Sequence, residues 1–390
     1  MKIFVTSAIC LALAPAMLAS GLPASAQAQT APQPPSINAG DRRPAATRPF
    51  EIAEVARFDT PWAMAFLPDG RMLITEKPGR AFLVTQQGEK IQLANIPQVA
   101  ASGQNGLLDI ALSPRFAEDR QVYLTYVAPG QGGSVLTLAT ARFVEGQGRA
   151  GLEGLRVIWR QTPAGGRGQP GGIIAFAPDG RHLFLTVGDR MEPETAQVPD
   201  QARGKVLRLN LDGSTPADNP QASAGGVRGQ TWTTGHRNPY GLAFDPAGKL
   251  WLTEMGPRGG DELNLIQPGR NYGWGEVSNG DNYSGVPIPR HATRPEFTPP
   301  VVYWTPVISP GGMAFYDGPL FPAWRGSALI GGLSSRALIR IVFDANGGAD
   351  EAERWSLGAR IRDVAVAPDG AVWVIEDASQ GRLMRLTPAS

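Results

Sequence analysis

An all-β fold, a six-bladed β-propeller of four-stranded antiparallel blades, is the architecture this sequence predicts. Three observations point to it. A strand–turn–strand unit recurs six times, the second strand of each unit alternates apolar and polar residues, and the 390 residues include 48 glycines and 35 prolines. Gly and Pro break helix interiors, so their abundance suits short strands joined by tight turns. One hairpin cannot bury its apolar face alone. Copies at a spacing of roughly 45–70 residues therefore imply blades packed around a central channel.

The units follow in order. Ala65 opens AFLPDGRMLITEKPGR, Ala111 opens ALSPRFAEDRQVYLTYV and Ala175 opens AFAPDGRHLFLTVGDR. Ala243 opens AFDPAGKLWLTEMGPR, Ala314 opens AFYDGPLFPAWRGSALIGGL and Ala365 opens AVAPDGAVWVIEDASQGR. Each joins an apolar strand to a Pro/Asp/Gly turn and then to an alternating strand, such as Met72 with Ile74 or Leu250 with Leu252. The longer intervals leave room for inserted loops near 190–204, 213–230 and 275–300, which in a propeller gather at the channel mouth.

The N-terminus divides from this array. Lys2, the apolar run Ile3–Leu18 and the small residues Ala24-Ser25-Ala26 read as a signal peptide over residues 1–26. A flexible leader rich in Ala, Pro and Gln is expected over 27–48, and a single propeller domain over 49–390. Export to the periplasm or the exterior follows, with no membrane span in the mature chain. Cys10, the only cysteine, lies in the signal peptide, so no disulfide or thiol chemistry is expected after cleavage. Formal net charge is +1 and the basic residues are spread out, so no nucleic-acid partner is expected.

Four stretches carry polar groups suited to a site. In SGQNGLLDIALSP, glycines flank Gln104 and Asn105, whose amides can donate and accept; a turn feeding a buried strand is the plainer reading. In TTGHRNPYGLAFDP, Arg237 offers a planar fork for a carboxylate or phosphate, and Asn238 adds a directional contact. The run TEMGPRGGDELNLIQPGRNYGWGE places Asp261 and Glu262 in a Gly-rich loop, where carbonyls of a Gly-Pro turn and of Tyr272 could join them around a hard cation. In LGARIRDVAVAPDG, Arg360 and Arg362 alternate with Ile361, so a strand would point both to one face and favour an anionic ligand or neighbouring acids. The three histidines, His182, His236 and His291, lack zinc-ligand spacing, there is no Gly-x-Ser-x-Gly elbow, and no Gly-x-Gly-x-x-Gly run sits between a strand and a helix.

Together these motifs resemble the soluble quinoprotein glucose/sorbosone dehydrogenase family, also called aldose sugar dehydrogenases, across roughly residues 50 to 388. GQNGLLDIAL, GKVLRLNLDGSTPADNP, GHRNPYGLAFDP, GPRGGDELNLI with GRNYGW, WTPVISPGGMAFY and RIRDVAVAPDG carry the likeness in the family's order. The resemblance implies a six-bladed propeller that binds pyrroloquinoline quinone and calcium and oxidises the C1 hydroxyl of an aldose to a lactone. It places Gln104, Arg237, Asn238, Arg360 and Arg362 at the cofactor. Carbonyls of Gly256 and Pro257 match calcium ligands beside the quinone, and Glu262 with Tyr272 matches a further calcium site.

Three departures bear on catalysis: the family's His and Arg are replaced by Gln169 and Ile173, and its Lys by Ser334. Where the family shows His-x-Gly-Gly-Arg, with His as general base, this chain reads Gln169-Pro170-Gly171-Gly172-Ile173. An amide does not take up a proton at neutral pH as imidazole does. Ser334 stands where the family has a cofactor-contacting Lys, with Arg336 nearby. Three readings follow: a sugar dehydrogenase passing electrons to an acceptor that no motif names, a quinone- or sugar-binding propeller without efficient turnover, and a calcium-dependent lactonase.

Overall fold

The computed structural model describes residues 35–389. The expected signal peptide with Cys10, and residues 27–34 of the expected leader, lie outside the described residues. The described residues are mostly β, with two short α-helices among them at Phe116–Asp119 and Gly226–Gln230.

All six expected hairpins are present, and each forms the first two strands of a four-stranded antiparallel group. Pro61–Phe66 pairs with Met72–Glu76, Leu107–Leu112 with Gln121–Ala128, and Gly171–Phe176 with His182–Val187. Pro239–Phe244 pairs with Leu250–Glu254, Pro310–Phe315 with Ala328–Gly332, and Ile361–Val366 with Val372–Glu376. Two further strands complete each group, and the first two groups are joined by a parallel contact at Ala150↔Leu93 and Gly151↔Ala94. The last group takes its outermost strand from the start of the chain: Phe50–Phe58 pairs with Gly381–Pro388. Each hairpin's leading strand contacts the leading strand of the next, and the sixth contacts the first, closing a ring. No helix among the described residues is long and apolar enough to cross a membrane.

The repeated turn has a local cause. Gly70, Gly180, Gly248 and Gly370 have φ between 66° and 88°, a region that favours glycine. The Asp before three of them accepts from the backbone N–H two residues on: Asp69 from Arg71 at 3.0 Å, Asp179 from Arg181 and Asp369 from Ala371 at 2.9 Å each. Every leading strand also shifts register near its start, between Pro61/Met64, Leu107/Ile110, Gly171/Ile174, Pro239/Gly241, Pro310/Met313 and Ile361/Asp363. Such bulges re-aim side chains and recur at rims and sites.

Residues 35–48 correct the expected flexible leader. Ile37–Asn38 adds a parallel strand beside Val302–Tyr303, and the Ala39 N–H donates to the Tyr303 carbonyl at 2.8 Å. Gly40 lies so close to Thr305 that a Cβ would come within 2.2 Å of its carbonyl carbon. The outer edge of the fourth sheet presents unpaired backbone groups that this segment satisfies. A composition rich in Pro and Ala does not reveal such an edge.

Inside the ring lies a cavity of ≈ 370 Å³ to which every leading strand contributes, among others Met64, Asp109, Ile174, Leu242, Met313 and Asp363. Asp109 accepts from Ile174 N (2.8 Å) and Ile110 N (2.9 Å), tying the second sheet to the third. Asp363 accepts from Met64 N and Val364 N (2.9 Å each), tying the sixth sheet to the first. Burial pushes Asp109 up to about 6 and Asp363 up to about 7, from an ordinary 3.8. Folding thus favours their protonated forms, so their contribution to stability is full below pH 3.8 and is lost as pH rises through 6 to 7. The wild-type melting temperature should fall between pH 5 and pH 8 by more than that of Asp363→Asn, measured calorimetrically. Equal slopes would remove Asp363 from the pH dependence.

Candidate functional site

The chain crosses from the outermost strand of the third sheet, Thr231–Thr234, back to the leading strand of the fourth, Pro239–Phe244. His236, Arg237 and Asn238 lie on this crossing, all buried. Glu254, at the end of the neighbouring strand, sets their positions. It accepts from Arg237 N at 2.6 Å, from His236 Nδ1 at 2.8 Å and from Asn264 Nδ2 at 3.1 Å. His236 also bonds Thr233 Oγ1 at 2.9 Å and stacks on Tyr272, with centroids 4.9 Å apart. Both of its nitrogens are engaged, so its work is positional.

Arg237 is the hub. Its Nη1 donates to the carbonyls of Met255 (3.1 Å) and Gly256 (2.9 Å), and its guanidinium lies 5.2 Å from the Trp274 ring and 5.9 Å from that of Tyr283. Its Nη2 reaches Gln169. With the amide oriented to satisfy both neighbours, Gln169 accepts from Arg237 Nη2 at 2.8 Å and donates to Asp189 Oδ1 at 2.5 Å. The Gln169 backbone N–H donates to Gln104 Oε1 at 2.5 Å. Two residues expected from widely separated motifs therefore touch through one peptide group.

Asp189 is fully buried behind Gln169 and accepts from Trp274 Nε1 (2.7 Å) and Met191 N (2.8 Å). Burial outweighs these bonds and pushes its carboxyl up to about 6. Left-handed φ values of 46°, 60° and 65° at Gln169, Arg190 and Met191 mark backbone strain around this carboxylate. Arg190 offsets it by donating to Asn105 Oδ1 (2.9 Å), Gly168 O (3.0 Å) and Ser134 Oγ (3.0 Å), which pins the Gln104–Asn105 turn to the Gly168 loop.

Arg360 and Arg362 do converge, but on an acid of the chain. Their Nη2 atoms lie 2.9 and 3.1 Å from Asp377 Oδ2. Arg360 is largely exposed. Arg362 is only 8% exposed, lies over Trp62 at 4.2 Å and lines the central cavity with Nε and Nη1 unpartnered. Asn238 Oδ1 is likewise buried without a partner. Ser334 sits on the turn after Ala328–Gly332; its hydroxyl lies 3.4 Å from the Val307 carbonyl, and it makes no hydrogen bond to the Arg237–Gln169 cluster.

The acidic run divides its labour. Asp261 is buried, accepts from Gly256 N (2.8 Å), Ile308 N (2.8 Å) and Ser309 N (2.6 Å), and is pushed up to about 7 by burial. It anchors the Gly256–Pro257 turn. Glu262 Oε2 accepts from Asn264 Nδ2 at 3.0 Å. The Tyr272 hydroxyl is spent on the Leu265 carbonyl at 2.5 Å, which leaves its own carbonyl as its donor toward a cation. A cavity of ≈ 10 Å³, the size of one water or ion, is lined by Gly256, Glu254, Glu262, Tyr272 and Ser278 among others. Among the described residues no three His, Cys, Asp or Glu side chains gather to hold a metal, so a cation here would take carbonyls with a carboxylate, as calcium does.

Sequence reasoning passed over Glu254, Trp274 and Tyr283. For Glu254 a signal existed in the repeats: Glu76 ends the matching strand of the first unit and accepts from Asp59 N at 2.6 Å, two residues before Pro61. Glu254 does the same for Arg237, two residues before Pro239.

The family model described as Glucose / Sorbosone dehydrogenase matches residues 58–385. The Aldose sugar dehydrogenase YliI of Escherichia coli K12 is 38% identical over 348 residues, 85% of this chain and 91% of that one. The apo-form crystal structure of the soluble aldose sugar dehydrogenase from Escherichia coli superposes with a TM-score of 0.80 at 37% identity, covering 87% of this chain and 100% of that one. The PQQ-bound Aldose Sugar Dehydrogenase of Streptomyces coelicolor gives 0.71 at 29% identity, covering 88% and 99%.

Proposed function

Because the chain belongs to the Glucose / Sorbosone dehydrogenase family, we propose that it is an exported six-bladed propeller enzyme that oxidises the C1 hydroxyl of an aldose to a lactone with pyrroloquinoline quinone and calcium. The observation that carries this reading is that Asn238, next to Arg237 in the chain, and Arg362, on the central cavity, keep buried polar atoms unpartnered. Such orphaned groups in a native interior call for a ligand, and a tricarboxylated quinone suits guanidinium forks. The residues present therefore fit the cofactor, and the ion-sized cavity beside Glu262 and Tyr272 fits calcium.

When bound, the quinone supplies the two-electron acceptor. The chain's own residues do the rest. Arg362 and Arg237 hold anionic groups, Asn238 accepts or donates one directional bond, and Gln104 fixes the Gln169 loop. Carbonyls of Gly256 and Pro257 would face one cation, with Glu262 and the Tyr272 carbonyl at another. Gln169 occupies the place of the family's base, where its amide is already bonded to Asp189 and Arg237. The sugar hydroxyl proton then leaves through water, since Asp189 lies behind the amide, and turnover is slow at that step.

Purified protein should bind the quinone in the presence of calcium, with a shift in quinone absorbance, and should reduce a dye when given aldoses. Binding without turnover would select the second reading, a quinone-binding propeller, which the amide of Gln169 favours. Calcium-dependent lactone hydrolysis without quinone would overturn both.

A further inference from the structure

His291 opens a 3-10 turn, His291–Thr293, in the segment that follows the 275–290 loop. It is 5% exposed, and neither ring nitrogen has a hydrogen-bond partner. A neutral imidazole carries one N–H and one lone pair, so burying both unpaired is costly. Its surroundings are polar. His291 Nε2 lies 3.4 Å from Glu262 Oε1, the oxygen that Asn264 leaves unused. Asn264 is fully buried, and its own Oδ1 also lacks a partner. The orphaned atoms therefore cluster on the carboxylate that borders the ion-sized cavity.

The spacing is informative. Adjacent ligands at roughly 2.0–2.4 Å from one cation lie about 3.0–3.4 Å from each other. We propose that His291 Nε2 and Glu262 Oε1 are neighbouring ligands of one divalent cation. The site then holds a nitrogen donor beside its oxygens and takes borderline cations such as Zn²⁺ as well as calcium. This rests on the reading of Glu262 as a cation ligand. Calcium favours oxygen, whereas imidazole suits zinc, so losing His291 should weaken zinc far more than calcium.

The chain has three histidines, which makes imidazole nitrogen spectra readable. In quinone-free full-length protein labelled with ¹⁵N at histidine, adding Zn²⁺ should move the nitrogen resonances of one ring, the one missing in His291→Gln. His182 and His236 should stay in place. Zinc affinity by calorimetry should fall at least tenfold in His291→Gln and calcium affinity by less, while Glu262→Gln should lose both. If the cation binds through Glu262 but the His291 resonances stay still, His291 is not a ligand and the cation reading of Glu262 survives. If neither cation binds the wild-type protein, the Glu262 reading and this proposal fall together. The wild-type spectrum decides the matter even where a variant does not fold.

Discussion

Arg237→Ala should lower quinone affinity about 100-fold or more, because one side chain makes the polar contacts that several elements depend on. A hydrogen bond to a charged group contributes about 1.5–3 kcal/mol, and a guanidinium fork makes two in parallel. The substitution removes that fork and also frees the Met255 and Gly256 carbonyls that Nη1 now holds. The Gly256–Pro257 turn would lose one of its two anchors, the other being Asp261. Arg237→Lys keeps the charge and loses the planar geometry, so an intermediate loss of roughly tenfold is expected. Absorbance titration of quinone into each variant measures this. Thermal melting should show only a modest drop, because the backbone N–H of Arg237 still bonds Glu254. Wild-type affinity in the alanine variant would remove Arg237 from the cofactor site.

The fold was legible because its unit is local and repeated. A Pro/Asp/Gly turn between an apolar and an alternating strand needs only neighbouring residues, and each of the six copies became the hairpin of one four-stranded group. The edge strand Ile37–Asn38 was not legible. Its pairing with Val302–Tyr303 depends on a free sheet edge far along the chain. The site was half legible for a similar reason. Arg237, Asn238 and Gln104 announce themselves by residue type in turns that glycine and proline mark. Trp274 and Tyr283 look like packing aromatics until the fold brings one to Asp189 and both to the Arg237 guanidinium. Arg360 and Arg362 show the converse. Alternation would put them on one strand face, yet Arg360 precedes the strand and is exposed; what joins them is Asp377, in the partner strand's turn, where no local pattern points to it.

Gln169→His should raise kcat about 100-fold or more with little change in KM, if Gln169 holds the place of the family's base. General-base catalysis contributes roughly 10²–10⁴-fold, and the surroundings are already arranged for an imidazole. Asp189 Oδ1 lies where a ring N–H would donate, at the position now filled by the amide nitrogen. That bond would fix the tautomer and leave the other nitrogen as acceptor. Arg237 Nη2, beside the present amide oxygen, disfavours a second proton and so keeps the ring neutral. The backbone is suited as well: φ at Gln169 is 46°, in the left-handed region that histidine enters more readily than most side chains. In the variant, kcat/KM should rise with pH through the imidazole's titration near 6.5, a feature that the wild-type profile should lack. Adding Asp189→Asn should erase most of the gain, because the amide no longer selects the productive tautomer. Gln169→Asn, which restores no base, should leave the rate at the wild-type level. If Gln169→His folds, binds quinone and turns over no faster, the proton is not removed at this position. The slow step would then have to be sought at Arg237 or in the loop that carries Tyr283.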